Sequence, residues 1–537
     1  MAKHAVVEII IIIVLFAFSS WLMSKSFGYD TGASQFRIAR HEVGDFGLHI
    51  SLIRSFSWGE NGRTIQSPFY PGRPLAYHYF MDWITGQLVR LGIRIDYAYN
   101  VISALAFTIL LYGLYRLTIF LSNGNRMAGL VSIILFILPS NLSFIDIIKG
   151  APKDISFFSY FWRFPDYIHK GPFDGSTITI YTTLAPYLNQ RHLITGMAIG
   201  IMVIFFVIQL LNKKTFISIS KWLLIGGVVG LSTRIHVLIA GATAVLVVIL
   251  LIGKNMKAAL YFVMTAIFIA LPYIVQIFSM RSETGVMQSW NPGYLSPRPL
   301  SFLSFVYFWI YNLGILVILV PLVYRATRGV NRRLIVGAGT LFLIANTLQL
   351  SYRMEHNHSL INYAVTILLP FISIILVAWW QKKNIAWKSL SAFFLVLLTL
   401  SGVFNLMVVK NDYQLMVDDA PKNKFMEWIR TETDPKSVFI GEPALYDPVT
   451  LAGRKNYLGH DYYVSVMGYD YLGRRNQISS WFEDFNEESI IKMRGQSIRY
   501  LAIPTKSKEF FYGVDEDKVR TLLPVVYYEE SMNVYEL

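Results

Sequence analysis

The sequence predicts a polytopic all-α membrane domain of about 11 transmembrane helices followed by a small C-terminal α/β domain. Three observations carry this. Over 537 residues, 54% are hydrophobic and only 15% are charged, and the mean hydropathy is +0.45, which excludes a single soluble domain. Long apolar runs with at most one acid or base recur, each near the roughly 20 residues that a hydrocarbon core about 30 Å thick demands of a helix. After about residue 410 these runs stop, Asp and Glu become frequent, and short strand-like stretches begin.

Taken in order, the runs are 6–23, 98–121, 127–145, 193–211, 222–238, 239–252, 257–278, 301–323, 334–350, 360–380 and 389–409. The first reads as an uncleaved anchor, since no small-x-small cleavage site follows it and ten further runs do. The fifth and sixth are parted only by Ser232-Thr233-Arg234-Ile235-His236. One long tilted helix is the alternative, but counting that break as a turn puts Lys3, Arg116, Arg126, Lys213, Lys214, Lys221, Lys254, Lys257, Arg325, Arg328, Arg332, Arg333, Lys382, Lys383 and Lys388 on one side. The short opposite loops hold only Arg234, Arg281, Arg298 and Arg353. Under the positive-inside rule the N-terminus is cytoplasmic and the C-terminus extracytoplasmic, and the net charge of +14 then reports loops and lipid rather than nucleic acid. The domain division is 1–410, with outer loops 24–97 and 146–192, and 411–537. In the tail, Ser437–Ile440, Arg499–Ile503, Leu522–Tyr528 and Val534–Leu537 read as strands, and Phe425, Trp428 and Ile429 share a helix face before the Asp434-Pro435 turn.

Long outer loops are where function concentrates. In the first, Arg40-His41-Glu42-Val43-Gly44-Asp45-Phe46-Gly47-Leu48-His49 places Glu42, Asp45 and His49 on one face if helical. Two carboxylates and an imidazole form either a base with an orienting partner or a divalent-cation site. A solvated amphipathic face has the same spacing. Further on, Ser67-Pro68-Phe69-Tyr70-Pro71-Gly72-Arg73-Pro74-Leu75-Ala76-Tyr77-His78-Tyr79 offers Tyr77 and His78 to a sugar, or its rings to the headgroup level. The second loop ends in Gln190, Arg191 and His192 at a span entrance. Here Arg191 with the orphan backbone N–H groups is an anion seat for phosphate, or else a snorkelling arginine. Arg353, Glu355 and His356 crowd a short outer loop. No Walker loop, dinucleotide fingerprint or zinc-ligand spacing occurs, and cysteine is absent, so ATP-driven transport, nicotinamide chemistry and thiol chemistry lack support.

Together, Gly44-Asp45-Phe46 with His49, Ser55-Phe56, Gly59-x-Asn61, Pro74-Leu75-x-Tyr77-His78-Tyr79 and Asn189-Gln190-Arg191-His192 resemble motifs of the GT-C superfamily of integral-membrane glycosyltransferases, in its prokaryotic members. The resemblance implies a polyprenyl-phosphate-linked sugar as donor and Asp45, matching the family's first-loop acid, as the catalytic carboxylate. It leaves the acceptor as a glycan, lipid or protein. No cofactor is required by this reading, and a divalent cation is compatible with it. The Trp-Trp-Asp motif of oligosaccharyltransferases is missing, because Gln381 follows Trp379-Trp380. The adjacent Asp-Glu pair of protein O-mannosyltransferases is missing too, because Glu42 and Asp45 stand apart. Asp45, with Glu42 and His49, is thus expected in catalysis. Arg191, His192 and Arg353 are expected at the donor phosphate, and Tyr77, His78, Gln190, Glu355 and His356 at substrate. A transporter or flippase for lipid-linked glycans is the rival reading, although polar groups gather at one face rather than along a midplane path. A membrane-anchored binding or assembly protein is the third.

Overall fold

A computed structural model describes residues 2–62, 65–171, 174–212, 218–280, 289–351, 353–505, 509–511 and 513–537. Lys213, Lys214 and Arg281 of the charge pattern lie outside them. The chain divides into two compact units. One is formed by Met1–Ser26, Val101–Pro272 and Met287–Tyr413, the other by Phe27–Asn100, Tyr273–Val286 and Gln414–Leu537.

The first unit is helical, as a chain in hydrocarbon must be if every backbone N–H and C=O is to find a partner within its own segment. Among the described residues, seven helices are long and apolar enough to cross a bilayer: Ala5–Ser26, Ile95–Leu121, Arg191–Leu211, Ile219–Leu251, Met256–Ile277, Met354–Trp380 and Ile385–Asn411. An eighth crossing exists if the pair Phe302–Leu313 and Leu316–Ala326, bent by 83°, counts as one broken span. The expected eleven are not all matched by helices of this length among the described residues. The run 127–145 yields only Arg126–Ile137, 12 residues long, which at 1.5 Å per residue reaches about 18 Å and falls short of the core. The run 334–350 lies in Gly329–Thr347, which begins with Arg332 and Arg333 in its first turns. The runs 222–238 and 239–252 join in the 33-residue helix Ile219–Leu251, whose one non-helical residue, His236 (φ −159°, ψ 102°), falls at the end of the expected break. Leu110, Leu114, Ile194, Ile201, Leu246 and Ile367 are among the buried core of this unit, while Phe268 and Leu224 are exposed, as lipid-facing positions are. The chain is an integral membrane protein.

The second unit joins the first long loop to the tail, so the expected division at 410/411 does not follow the packing. The reason is strand pairing. Phe27–Asp30, Gln35–Ala39 and Gln414–Asp418 make one antiparallel sheet, with Phe27 opposite Ile38 and Phe36 opposite Val417. A second sheet has the order Val525–Glu529, Met532–Glu536, Tyr500–Pro504, Val438–Ile440, Lys455–Asn456, its last two junctions parallel and the others antiparallel. The helix Lys424–Glu432 is capped by Asn423, whose side chain accepts from Met426 N.

Helix Val43–Ser57 runs through this unit almost wholly buried from Phe46 onward. Its Arg54 donates to Asp419 at 2.8 Å with both side chains under 5% exposed, and the guanidinium stacks 3.2 Å above the Trp58 ring. Burial lowers Arg54 to about 10 and raises the Asp419 carboxyl, each opposed by the charge of the other. A buried pair of this kind holds two distant segments in one register and is costly to break on one side only. Arg454 is satisfied by Thr433 Oγ1 and by the carbonyls of Trp58, Ala452, Arg430 and Thr433.

Candidate functional site

The short 3-10 turn Arg40–Glu42 leads into helix Val43–Ser57, so Glu42 lies at its start, Asp45 in the first turn and His49 one turn later. Carboxylates at a helix N-terminus are stabilised by the helix dipole. The first turn is held from the tail by tyrosines. Tyr446 donates to Val43 O at 2.7 Å, and Tyr463 donates to Gly44 O and Leu445 O, both at 3.1 Å. Tyr462 donates to Asp45 Oδ1 at 3.4 Å. Gly47 lets this approach happen, because a Cβ there would collide with Leu445 O and the Tyr463 hydroxyl. Asp45 is therefore half-buried on a clamped backbone, while Glu42 is buried.

His49 is buried, and its Nδ1 lies 3.0 and 3.2 Å from the two oxygens of Asp82, itself 1% exposed. Among the described residues Glu42, Asp45 and His49 do not form a group of metal ligands, since His49 turns toward Asp82. Asp82 was missed by sequence reasoning; its signal was an acid set among Phe80, Met81, Trp83 and Ile84, where a helix buries its apolar side. Tyr77 stands 6.2 Å from the His49 ring and 5.4 Å from that of His78. Burial, then the negative charge of Asp45 and next of Asp82, pushes the Tyr77 phenol well above its ordinary range, so Asp45, Asp82 and Tyr77 share one electrostatic environment. The backbone here is fixed by Tyr469, which donates to Pro74 O at 2.7 Å and accepts from Ala76 N, and by Tyr273, which donates to Tyr77 O at 2.7 Å. The motif residues Ser55 and Asn61 are structural: Asn61 donates to Ser55 Oγ and Gln66 O and accepts from Gln66 N, all at 2.8 Å.

The remaining expected residues belong to the first unit. Arg191 is fully buried and donates to Ser26 Oγ at 2.8 Å, Met23 O at 3.1 Å, and Ser103 Oγ and Leu188 O at 3.4 Å. These acceptors tie it to the end of Ala5–Ser26, to the helix Ile95–Leu121 and to the short helix Ala185–Asn189. Gln190 precedes the helix and its carbonyl accepts from Leu193 N. His192 is buried and stacks on His236, centroids 5.4 Å apart. Arg353 Nε lies 3.5 Å from Glu355, which also accepts from the Tyr181 hydroxyl at 3.3 Å; His356 is half-buried beside them in sequence. A largely apolar cavity of about 380 Å³ is lined by Trp309, Leu313, Val317, Ala338, Phe342, Ile361 and Val365, among others.

No protein-family model and no curated relative matches this chain. Among solved structures, it is similar to the single-particle cryo-EM structure of the arabinofuranosyltransferase AftD from mycobacteria. The TM-score is 0.54 at 13% identity, covering 98% of this chain and 39% of that one. This chain thus spans less than half the length of that protein. At such identity the likeness shows the fold alone: this chain shares the architecture of that protein.

Proposed function

We propose that this protein is a membrane glycosyltransferase that moves a sugar from a polyprenyl-phosphate carrier to a hydroxyl acceptor on the extracytoplasmic side, with Asp45 as general base. The observation that carries the reading is the placement of Asp45. It is a half-exposed carboxylate on a helix start clamped by three tyrosines, in a chain sharing nearly its whole fold with an arabinofuranosyltransferase. Asp45 takes the proton of the acceptor hydroxyl as its oxygen attacks the anomeric carbon. The carrier phosphate leaves with the bonding electron pair and needs no strong acid, since it already carries charge. Tyr77 and His78 contact the sugar, and Glu42 adds negative charge next to the base. The apolar cavity suits a prenyl chain, since ligand sites of this kind are mostly apolar with few polar groups.

Transfer of radiolabelled sugar from a panel of polyprenyl-phosphate donors by protein in nanodiscs tests this. Asp45→Asn should lower transfer by roughly 10²–10⁴-fold, the usual contribution of a general base, without changing the unfolding midpoint. Equal activity in the folded variant would move the base elsewhere, and a chelator arm reads out any divalent cation.

A further inference from the structure

We propose that the short helix Phe157–Trp162 of the first unit is a membrane-docking element. Its outward side lies in the bilayer at the boundary between acyl chains and headgroups, beside the C-terminal end of the span Ile385–Asn411. Ile155, Phe157, Phe158 and Trp162 are large, apolar and exposed, Phe158 at 71%. Ser156 fixes the start of the helix, its side chain accepting from Ser159 N. Phe158 and Trp162 stand at the i, i+4 spacing that puts two side chains on one helix face, and their rings stack with centroids 6.2 Å apart. A contiguous apolar patch of this kind marks a surface that something other than water covers.

The inner side identifies what covers the outer one. Phe161, and Phe164 just after the helix, meet Phe404 edge-on at 5.3 and 5.4 Å between ring centroids, and Phe404 is buried. Phe404 follows Phe393 on the same span by about three full turns, so the two share one face. At Phe393 that face is exposed, as a lipid-facing position is. At Phe404 the short helix has taken the place of lipid, and its far side continues the lipid-facing surface of the span.

Lysines set the depth. Lys410, in the last turn of the span, holds its ammonium 3.8 Å over the Trp162 ring and donates to Trp162 O at 3.3 Å. Asn411 Nδ2 donates to Trp162 O at 2.9 Å and to Phe164 O at 3.0 Å. Lys25, in the last turn of the first span, donates to Lys410 O at 3.2 Å. Ammonium groups at the ends of two spans mark the headgroup level, where lysine snorkels and tryptophan collects. From Lys410 back to Phe404 the span descends about 9 Å, so the short helix reaches from that level into the acyl boundary, the depth at which interfacial helices bury their apolar face. Lys153, Asp154 and Arg163 are exposed beside it and form the polar flank such a helix requires. The partner is thus the lipid surface itself, and the second long loop is held to it.

The chain has no cysteine, so a nitroxide on a single introduced cysteine reads one position of the full-length protein, here in nanodiscs of phosphatidylcholine and phosphatidylglycerol. Phe158→Cys is the main probe, and Ile155→Cys repeats the reading at a second exposed position. Phe393→Cys is the lipid reference and Lys153→Cys the water reference. In power-saturation EPR with oxygen and a water-soluble nickel chelate, labels at 158 and 155 should be more accessible to oxygen than to nickel, as at 393, at a depth of about 5–10 Å. The label at 153 should show the reverse. Nickel access at 158 and 155 equal to that at 153 would put the helix in water and overturn the proposal. Shielding of both positions from both reagents would mean that protein covers this surface, and would overturn it equally.

Discussion

Gly86→Ala tests whether the close crossing of two helices is what brings His49 and Asp82 together. A Cβ on residue 86 would stand 2.6 Å from Phe56 Cβ and 3.0 Å from Ile53 O. Ordinary contact begins at 3.4 Å, so the partner helix must retreat by about 0.8 Å. Neither neighbour is the end of a flexible side chain, so the backbone itself has to move, and overpacking of this kind costs about 1–3 kcal/mol. Asp82 lies one turn before Gly86 on the same helix. A retreat of that size would carry its 3.0 Å contact with His49 to about 3.8 Å, outside hydrogen-bond range. The general gain from replacing a helical glycine with alanine, about 0.5–1 kcal/mol, works the other way and is outweighed. Gly44 serves as the contrast, because a Cβ there meets nothing within 4 Å, and Gly44→Ala should raise stability by up to about 1 kcal/mol. Guanidinium unfolding in nanodiscs, followed by tryptophan fluorescence, measures both. A Gly86→Ala midpoint at or above that of wild type would refute the reasoning.

The other predictions concern the frame around Asp45. Arg54→Met leaves Asp419 charged and buried and should cost about 3–5 kcal/mol, with Arg54→Met/Asp419→Leu recovering most of it, read in the same unfolding experiment. Tyr463→Phe strips the Gly44 and Leu445 carbonyls of a shared donor; it should cost about 1–3 kcal/mol and lower kcat by loosening the turn that carries Asp45, which paired unfolding and transfer assays would show. Asp447 is buried, accepts from Val449 N at 2.9 Å and Asn456 Nδ2 at 3.0 Å, and is pushed up by burial from 3.8 to about 7. Between those pH values the folded chain keeps the proton that the unfolded chain releases. Stability should therefore fall as pH rises through that window, by roughly 4 kcal/mol in total at 1.36 kcal/mol per pH unit, and level off above it. Unfolding midpoints at pH 5 and pH 8 should differ in wild type and converge in Asp447→Asn.

The spacing of Glu42, Asp45 and His49 places them on one face only if the stretch is helical, and the sequence left that condition open because Gly44 and Gly47 weaken a helix; the helix Val43–Ser57 meets it for Asp45 and His49. The role of His49 was not legible, because its partner Asp82 comes from another helix 33 positions away and the pair meets only at a glycine crossing. Arg191 shows the converse. Its place at a span entrance was readable, whereas its acceptors Met23, Ser26 and Ser103 come from other helices and leave no mark near residue 191. The tyrosines around Asp45 lie some 400 positions along the chain, in a tail whose composition says only that it leaves the bilayer pattern.

By itself the sequence determined that this is a membrane protein of many helices, because the hydrocarbon core enforces runs of apolar residues whose backbone bonds close within the run. It also determined which residue types stand at the start of the first outer helix. The number of full crossings, the union of the first loop with the tail, and the partners of His49, Arg54 and Asp45 were decided only by tertiary structure. Local periodicity records which face of an element is apolar; it holds no information about which distant element will cover that face, and buried polar pairs form only once that choice has been made.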